Sequence, residues 1–273
     1  MPRTAFFVSG RTGITAEMLG HSLISQFDDE VSFRRITLPY IDTPEKVEAA
    51  LAQIREQART DGCKPVVFST FINEETRARF FIPEAVTLDM FETFIKPLEE
   101  ELGVQSSHTA GRAHGIANFE EYQTRLDAVN YSMSHDDGGI SRNLSDADII
   151  LIGVSRAGKT PTCLYLALQY GIKAANYPIT PEDFAAHTLP RALMPLRNKL
   201  FGISISPERL AQIRHARKPD SQYASAEICK REVEEAELLM RQAGIPFLNT
   251  TSLSIEELAT TIMHRTGMKR RVY

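Results

Sequence analysis

Eight residues, Gly153-Val154-Ser155-Arg156-Ala157-Gly158-Lys159-Thr160, carry the clearest chemistry in the sequence. They fit G-x-x-x-x-G-K-[ST], a pattern in which a glycine loop wraps phosphate oxygens with backbone N–H groups. The two glycines let the chain turn those groups inward. A helix beginning behind the loop adds unpaired donors and a partial positive charge. Lys159 is placed to reach the terminal phosphate, and the Thr160 hydroxyl to ligate Mg²⁺. The pattern has meaning only between a strand and a helix, and both flanks fit. Ala147 to Ile152 is an apolar run that reads as a buried strand, and Thr162 to Tyr170 reads as a helix closed by Gly171. Pro161 falls in the first helical turn, where its missing N–H costs nothing. A chance match in a strand-to-helix turn is the plainer reading, and the flanks weigh against it.

Phosphoryl transfer also needs acidic groups, to hold a metal ion or to take the proton of the attacking hydroxyl. Asp136-Asp137, about twenty residues upstream and followed by Gly138-Gly139, are the candidates. An acidic turn at a helix end is a common surface feature. A carboxylate pair at a helix C-terminus is electrostatically unfavourable, however, which favours a functional reason. Gly10-Arg11-Thr12-Gly13 is a possible second anion-binding turn, but reads better as a tight strand-to-helix connection. His108, Arg112 and His114 lack the compact partner set of a metal site. Lys269-Arg270-Arg271 reads as a solvated tail, and the charges from Lys230 to Glu237 as an exposed helix face.

The elements that must position these residues alternate between strand and helix. Thr4 to Ser9 is an apolar strand, followed by a helix to about Phe27 with Thr15 as its cap. Val31 to Leu38 is a second strand. Thr43 caps a long helix with Val47, Ala50, Leu51, Ile54 and Ala58 on one face. Lys64 to Thr70 is a third strand, and helices are expected at Asn73–Phe80 and Asp89–Leu102. The latter should bury Phe91, Phe94, Ile95, Leu98 and Leu102. The pattern breaks from Gln105 to Asn118, the best candidate for a linker. Beyond it come a helix from Phe119 to Met133, the glycine loop, and strands at Lys173–Pro178, Leu200–Ser206 and Pro246–Asn249. Helices open at Pro207, at Tyr223 and at Ser254, the last with the Ser254–Glu257 spacing of a capping box. This alternation predicts an α/β protein: an N-terminal doubly wound domain over 1–105 and a C-terminal P-loop kinase-like domain over 106–273.

Composition narrows the class. The chain has 273 residues, 42% of them hydrophobic, with a net charge of −4. That balance implies no general affinity for nucleic acid. No apolar run approaches the ~20 residues of a spanning helix, so no membrane association is expected. Cys63, Cys163 and Cys229 lie far apart, without metal spacing, and suit buried thiols in a reducing cytoplasm.

Taken together, several segments resemble one family, the phosphoenolpyruvate synthase regulatory proteins, kin to the regulatory protein of pyruvate, phosphate dikinase. They are Asp136-Asp137-Gly138, the loop through Thr162, Lys173 to Pro178, Leu200 to Ile205, Pro207 to Leu210, Ile213-Arg214, and Ser254 to Glu257. One position departs: the family's first strand ends Ser-Asp-x-Thr-Gly, and Gly10 stands here in place of that Asp. The resemblance implies a bifunctional enzyme, often a homodimer, acting on phosphoenolpyruvate synthase. One activity uses ADP to phosphorylate a threonine of the target and releases AMP. The other uses inorganic phosphate to remove that group and releases pyrophosphate. Lys159, Asp136 and Asp137 are then the expected catalytic residues, Gly153 to Thr160 the nucleotide site, and Thr160 the Mg²⁺ ligand. A small-molecule kinase or NTPase using ATP, and a non-catalytic nucleotide sensor, are the competing readings.

Overall fold

The computed structural model describes residues 3–27, 29–107, 109, 119–136, 143–185 and 188–272. The chain is α/β and divides into two compact units, Met1–Gly115 and Ile116–Tyr273, each with its own parallel four-stranded sheet. His108, Arg112, His114, Asp137 and most of the expected linker lie outside the described residues.

In the first unit the elements are β1 (Arg3–Val8), α1 (Ile14–Ile24), β2 (Phe33–Leu38), α2 (Pro44–Asp61), β3 (Val66–Ser69), α3 (Glu74–Arg79), β4 (Val86–Asp89) and α4 (Glu92–Leu102). The strand order is β2-β1-β3-β4, all parallel. The period of two along β1 splits its side chains between two cores. Phe6 and Val8 pack with Val47, Leu51 and Ile54 of α2, and Ala5 and Phe7 pack with Ala16 and Ile24 of α1. Gly20 lets α1 approach, because a Cβ there would run into the rings of Phe7 and Phe68.

Thr43 caps α2 as expected, and Asn73, the first residue of the expected helix, caps α3, their side chains accepting from Lys46 and Thr76 backbone N–H. Helix α1, by contrast, starts at Ile14, with Gly13 rather than Thr15 before its first turn. The expected helix from Asp89 is a short strand and a shorter helix. Asp89 ends β4, and its Oδ1 accepts the Phe91 and Glu92 N–H groups that open α4. Nor is the α4 stripe buried: Phe94, Leu98 and Leu102 are 56%, 57% and 66% exposed. Periodicity marks a face as apolar but does not supply its cover.

The second unit runs α5 (Phe119–Ser134), β5 (Ile149–Gly153), α6 (Lys159–Tyr170), β6 (Ala174–Pro178), α7 (Pro181–Ala185), β7 (Leu200–Ser204), α8 (Pro207–Arg217), α9 (Ala226–Gln242), β8 (Phe247–Asn249) and α10 (Ile255–Thr266). Its sheet order is β6-β5-β7-β8. Strand β5 is central and buried along its whole length, as a strand covered on both faces must be. The chain leaves β5 for β6 on one side and returns to β7 on the other. Crevices for ligands form at the carboxyl ends of strands at such a reversal, and the glycine loop sits there.

Ser254 and Glu257 form the expected capping box. Helix α9 begins at Ala226 with Ser225 as its cap, and Tyr223 lies in the 3-10 turn before it. The C-terminal basic segment is docked rather than solvated. Arg271 pairs with Asp148 at 2.7 Å, and Val272 is fully buried. On α9, Glu232 and Glu237 leave the expected solvated face, pairing with Arg214 and the Ser204 hydroxyl. Cys163 and Cys229 are buried, whereas Cys63 is exposed. Among the described residues no helix is long and apolar enough to cross a membrane.

Candidate functional site

The loop connects the end of β5 at Gly153 to the start of α6 at Lys159. Gly153 has φ 149°, Arg156 76° and Gly158 95°. Gly153 is required by space as well as by backbone angle: a Cβ there would fall on the Ile203 carbonyl oxygen of β7. Gly158 is required by conformation alone, since a Cβ would meet nothing within 4 Å. Arg156, a non-glycine residue in the left-handed region, needs its surroundings to hold it there.

Those surroundings grip the loop from its flanks. The Ser155 carbonyl accepts from Arg214 Nη2 at 3.1 Å, and the Ala157 carbonyl from Thr250 Oγ1 at 3.2 Å. The Tyr223 hydroxyl donates to Ser155 Oγ at 3.0 Å. Behind the loop, Thr162 Oγ1 donates to the Gly158 carbonyl at 2.8 Å. In a trans peptide N–H and C=O point in opposite directions. Holding the carbonyls of Ser155 and Ala157 outward therefore aims the N–H groups of Arg156 and Gly158 the other way.

Lys159 is the first residue of α6 and only 3% exposed. Its ammonium reaches back over the loop to the Val154 carbonyl at 2.7 Å. A buried cation at a helix N-terminus concentrates positive potential at one point and favours an anion there.

Thr160 stands beside it with two partners from elsewhere in the chain. Its hydroxyl donates to Asp136 Oδ1 at 2.7 Å, and Asn176 Nδ2 donates to the same Oδ1 at 2.6 Å and to Thr160 Oγ1 at 3.0 Å. Asp136 follows α5, whose end is pinned to β6: the Asn176 N–H donates to the His135 carbonyl at 2.9 Å, and His135 stacks on Tyr131 with ring centroids 4.0 Å apart. Burial, then the nearby Asp146 and Asp148 carboxylates, push the Tyr131 hydroxyl up to about 12. The Thr160 oxygen thus gives its proton to Asp136 and one lone pair to Asn176, leaving one lone pair. A neutral hydroxyl oxygen next to a carboxylate is an oxygen donor set of the kind a hard divalent cation takes, completed by phosphate oxygens and water. Among the described residues no group of three or more His, Cys, Asp or Glu side chains that could hold a metal ion comes together.

Cys163, one turn behind Thr160, is no nucleophile candidate, because burial pushes its thiol well above the ordinary range. The structure brings Asp136, Lys159, Thr160 and the whole loop into one place. Asn176, Arg214, Tyr223 and Thr250 join them and were not singled out from the sequence as site residues. Two carried a signal: Arg214 lies four residues after Leu210 on the buried face of α8, and Asn176 sits inside an otherwise apolar strand.

Comparison with known proteins gives a consistent picture. Residues 5–263 match the family model described as kinase/pyrophosphorylase. A protein of Laribacter hongkongensis is 54% identical over 270 residues, covering 98% of each chain. Relatives in Hahella chejuensis and Paraburkholderia xenovorans are 52% and 51% identical over the full length of both chains. All three carry the name "Putative phosphoenolpyruvate synthase regulatory protein".

Proposed function

The chain belongs to the kinase/pyrophosphorylase family, and from that premise we propose that it controls a phosphoenolpyruvate synthase by adding and removing one phosphoryl group. In the forward direction a threonine hydroxyl of the target attacks the β-phosphorus of ADP. The bond from that phosphorus to the bridging oxygen breaks, phosphothreonine forms, and AMP leaves with the electron pair. In the reverse direction an oxygen of inorganic phosphate attacks the phosphothreonine phosphorus, and the bond from that phosphorus to the threonine oxygen breaks. The threonine oxygen takes the electron pair and a proton from the phosphate, and pyrophosphate is released. The names of the relatives support the target, and the loop supports the chemistry.

The observation that carries this reading is the joining of Thr160, Asp136 and Asn176 at the mouth of a loop whose Ser155 and Ala157 carbonyls are held outward. Loop N–H groups and Lys159 hold the phosphate oxygens and balance the charge that spreads over them during transfer. In the forward reaction they cradle the β-phosphate of ADP; in the reverse reaction inorganic phosphate takes the same place. Asp136 and Asn176 fix the Thr160 oxygen so that its remaining lone pair faces the phosphate side. Mg²⁺ held there by Thr160 would neutralise phosphate charge when bound. With Asp136 committed to Thr160, Asp137 is assigned to take the threonine proton.

The test is incubation with purified phosphoenolpyruvate synthase, Mg²⁺ and ADP labelled at the β-phosphate. The reading expects label on a target threonine with release of AMP. It also expects labelled pyrophosphate when the labelled target then meets inorganic phosphate. Transfer from γ-labelled ATP with none from ADP would make the protein an ATP-dependent kinase. Stoichiometric inactivation without label would make it a docking sensor.

A further inference from the structure

We propose that Arg214 is a positioning residue that fixes the phosphate cradle through the Ser155–Arg156 peptide, a role that rests on the reading of the loop as a phosphate site. Arg214 projects from α8, 54 positions after Thr160 in sequence, and is fully buried. One Nη2 serves both sides of a junction, donating to Glu232 Oε2 of α9 at 2.6 Å and to the Ser155 carbonyl at 3.1 Å. Nη1 donates to the Tyr223 carbonyl at 3.1 Å, and the guanidinium lies 3.9 Å over the Tyr223 ring. The hydroxyl of that same tyrosine holds Ser155 Oγ. Arg214 and Tyr223 thus form one clamp on one residue of the loop.

The clamp acts where the loop is least stable by itself. Arg156 has φ 76°, a region that side-chain-bearing residues leave unless held. Turning the Ser155–Arg156 peptide over would relieve that angle. It would also point a carbonyl oxygen into the cradle in place of an N–H, and an anion would meet a negative dipole. With the Ser155 carbonyl anchored to a permanently charged guanidinium, the peptide keeps its N–H on the cradle side.

Stability alone does not account for this arginine. A buried ion pair is on average no better for stability than well-packed apolar residues of the same volume. Arg214 Nε, moreover, has no hydrogen-bond partner among the described residues, a further cost of keeping the group inside. A planar fork that places Nη2 on Glu232 and the Ser155 carbonyl and Nη1 on the Tyr223 carbonyl is something the single ammonium nitrogen of lysine does not reproduce.

The test uses full-length Arg214→Lys and Tyr223→Phe. Lysine keeps the charge opposite Glu232, and phenylalanine keeps the ring under the guanidinium, so each variant keeps most of the packing. Binding of ADP and, separately, of inorganic phosphate in Mg²⁺ is measured by calorimetry, beside the thermal midpoint and the kcat and KM of label transfer. Arg214→Lys should weaken both ligands about tenfold, the size of one charge-assisted hydrogen bond. Tyr223→Phe should weaken both about threefold. In each variant KM should rise and kcat should fall. If both variants bind both ligands like wild type, or lose only thermal stability, the positioning role is overturned while the phosphate site stands. If wild type itself binds neither ADP nor phosphate, the functional reading fails and the clamp has nothing to position.

Discussion

Gly153 and Gly158 look equivalent in the sequence motif, yet the structure predicts that alanine at the two positions fails for different reasons. At Gly153 the added methyl meets the Ile203 carbonyl oxygen, with the carbonyl carbon 3.2 Å and the nitrogen 3.6 Å away. Ile203 is held in register with Leu248 of β8, so the obstacle is sheet backbone and cannot swing aside. Forcing extra volume into such a place costs roughly 1–3 kcal/mol. The φ of 149° adds roughly 1–2 kcal/mol of backbone strain. At Gly158 only the strain term applies, and at both positions the lower entropy of the unfolded chain offsets about 0.4–1 kcal/mol. Gly153→Ala should therefore cost about 1–4.5 kcal/mol and Gly158→Ala about 1.5 kcal/mol or less. For a unit of this size each kcal/mol moves the midpoint by roughly 2–4 °C. Thermal denaturation followed by circular dichroism should show Gly153→Ala falling by up to about 18 °C and Gly158→Ala by no more than about 6 °C, with Gly153→Ala the lower of the two. Calorimetry should show the reverse ranking per folded molecule: Gly158→Ala weakens ADP strongly, because relaxing φ turns its N–H off the phosphate. Equal midpoint shifts, or a Gly153→Ala protein as stable as wild type, would refute the claim that β7 backbone closes the space behind the loop.

Other outcomes follow from the same geometry. Lys159→Ala should lower ADP-dependent phosphorylation and phosphate-dependent dephosphorylation together, each by at least ~10²-fold, in paired rate assays; survival of either one would refute a shared cradle. Asp136→Asn keeps an oxygen that can accept from Thr160 but loses the charge, so the Mg²⁺ concentration for half-maximal rate should rise, and an unchanged Mg²⁺ dependence would count against the assignment. Asp137→Asn should instead lower turnover by ~10²-fold or more with ADP affinity intact. Tyr131, raised from 10.0 to about 12 in the folded chain, holds its proton more tightly there than in the unfolded chain. Its contribution is complete below pH 10 and is lost as pH climbs towards 12. Wild type should therefore lose more stability than Tyr131→Phe over that interval in urea denaturation, and parallel curves would count against it.

How much of this was legible in the sequence depends on how local each cause is. The loop and its flanks were readable because the glycine spacing, the apolar strand and the helix are contiguous. The caps at Thr43 and Ser254 were readable for the same reason, each bonding three residues ahead. Strand β4 was hidden because Val86 to Asp89 is only four residues long and runs straight into a helix signal. The α4 stripe was legible as apolar, but whether anything covers it is a tertiary fact. Asp136 was singled out, whereas its bonds to Thr160 and Asn176 depend on β6 being the neighbour of β5. Arg214 was hardest: 59 residues separate it from Ser155, and only a charge on a buried helix face hinted at it.

The central claim is that one cradle holds the β-phosphate of ADP in one reaction and inorganic phosphate in the other. The most direct measurement is the rate of phosphate-dependent dephosphorylation of phosphorylated phosphoenolpyruvate synthase, at several phosphate concentrations, with increasing ADP present. A shared cradle predicts strict competition: ADP raises the KM for phosphate in proportion to its concentration and leaves kcat unchanged. A fall in kcat at saturating phosphate with KM constant would mean that the two ligands occupy separate sites, and the claim would be wrong.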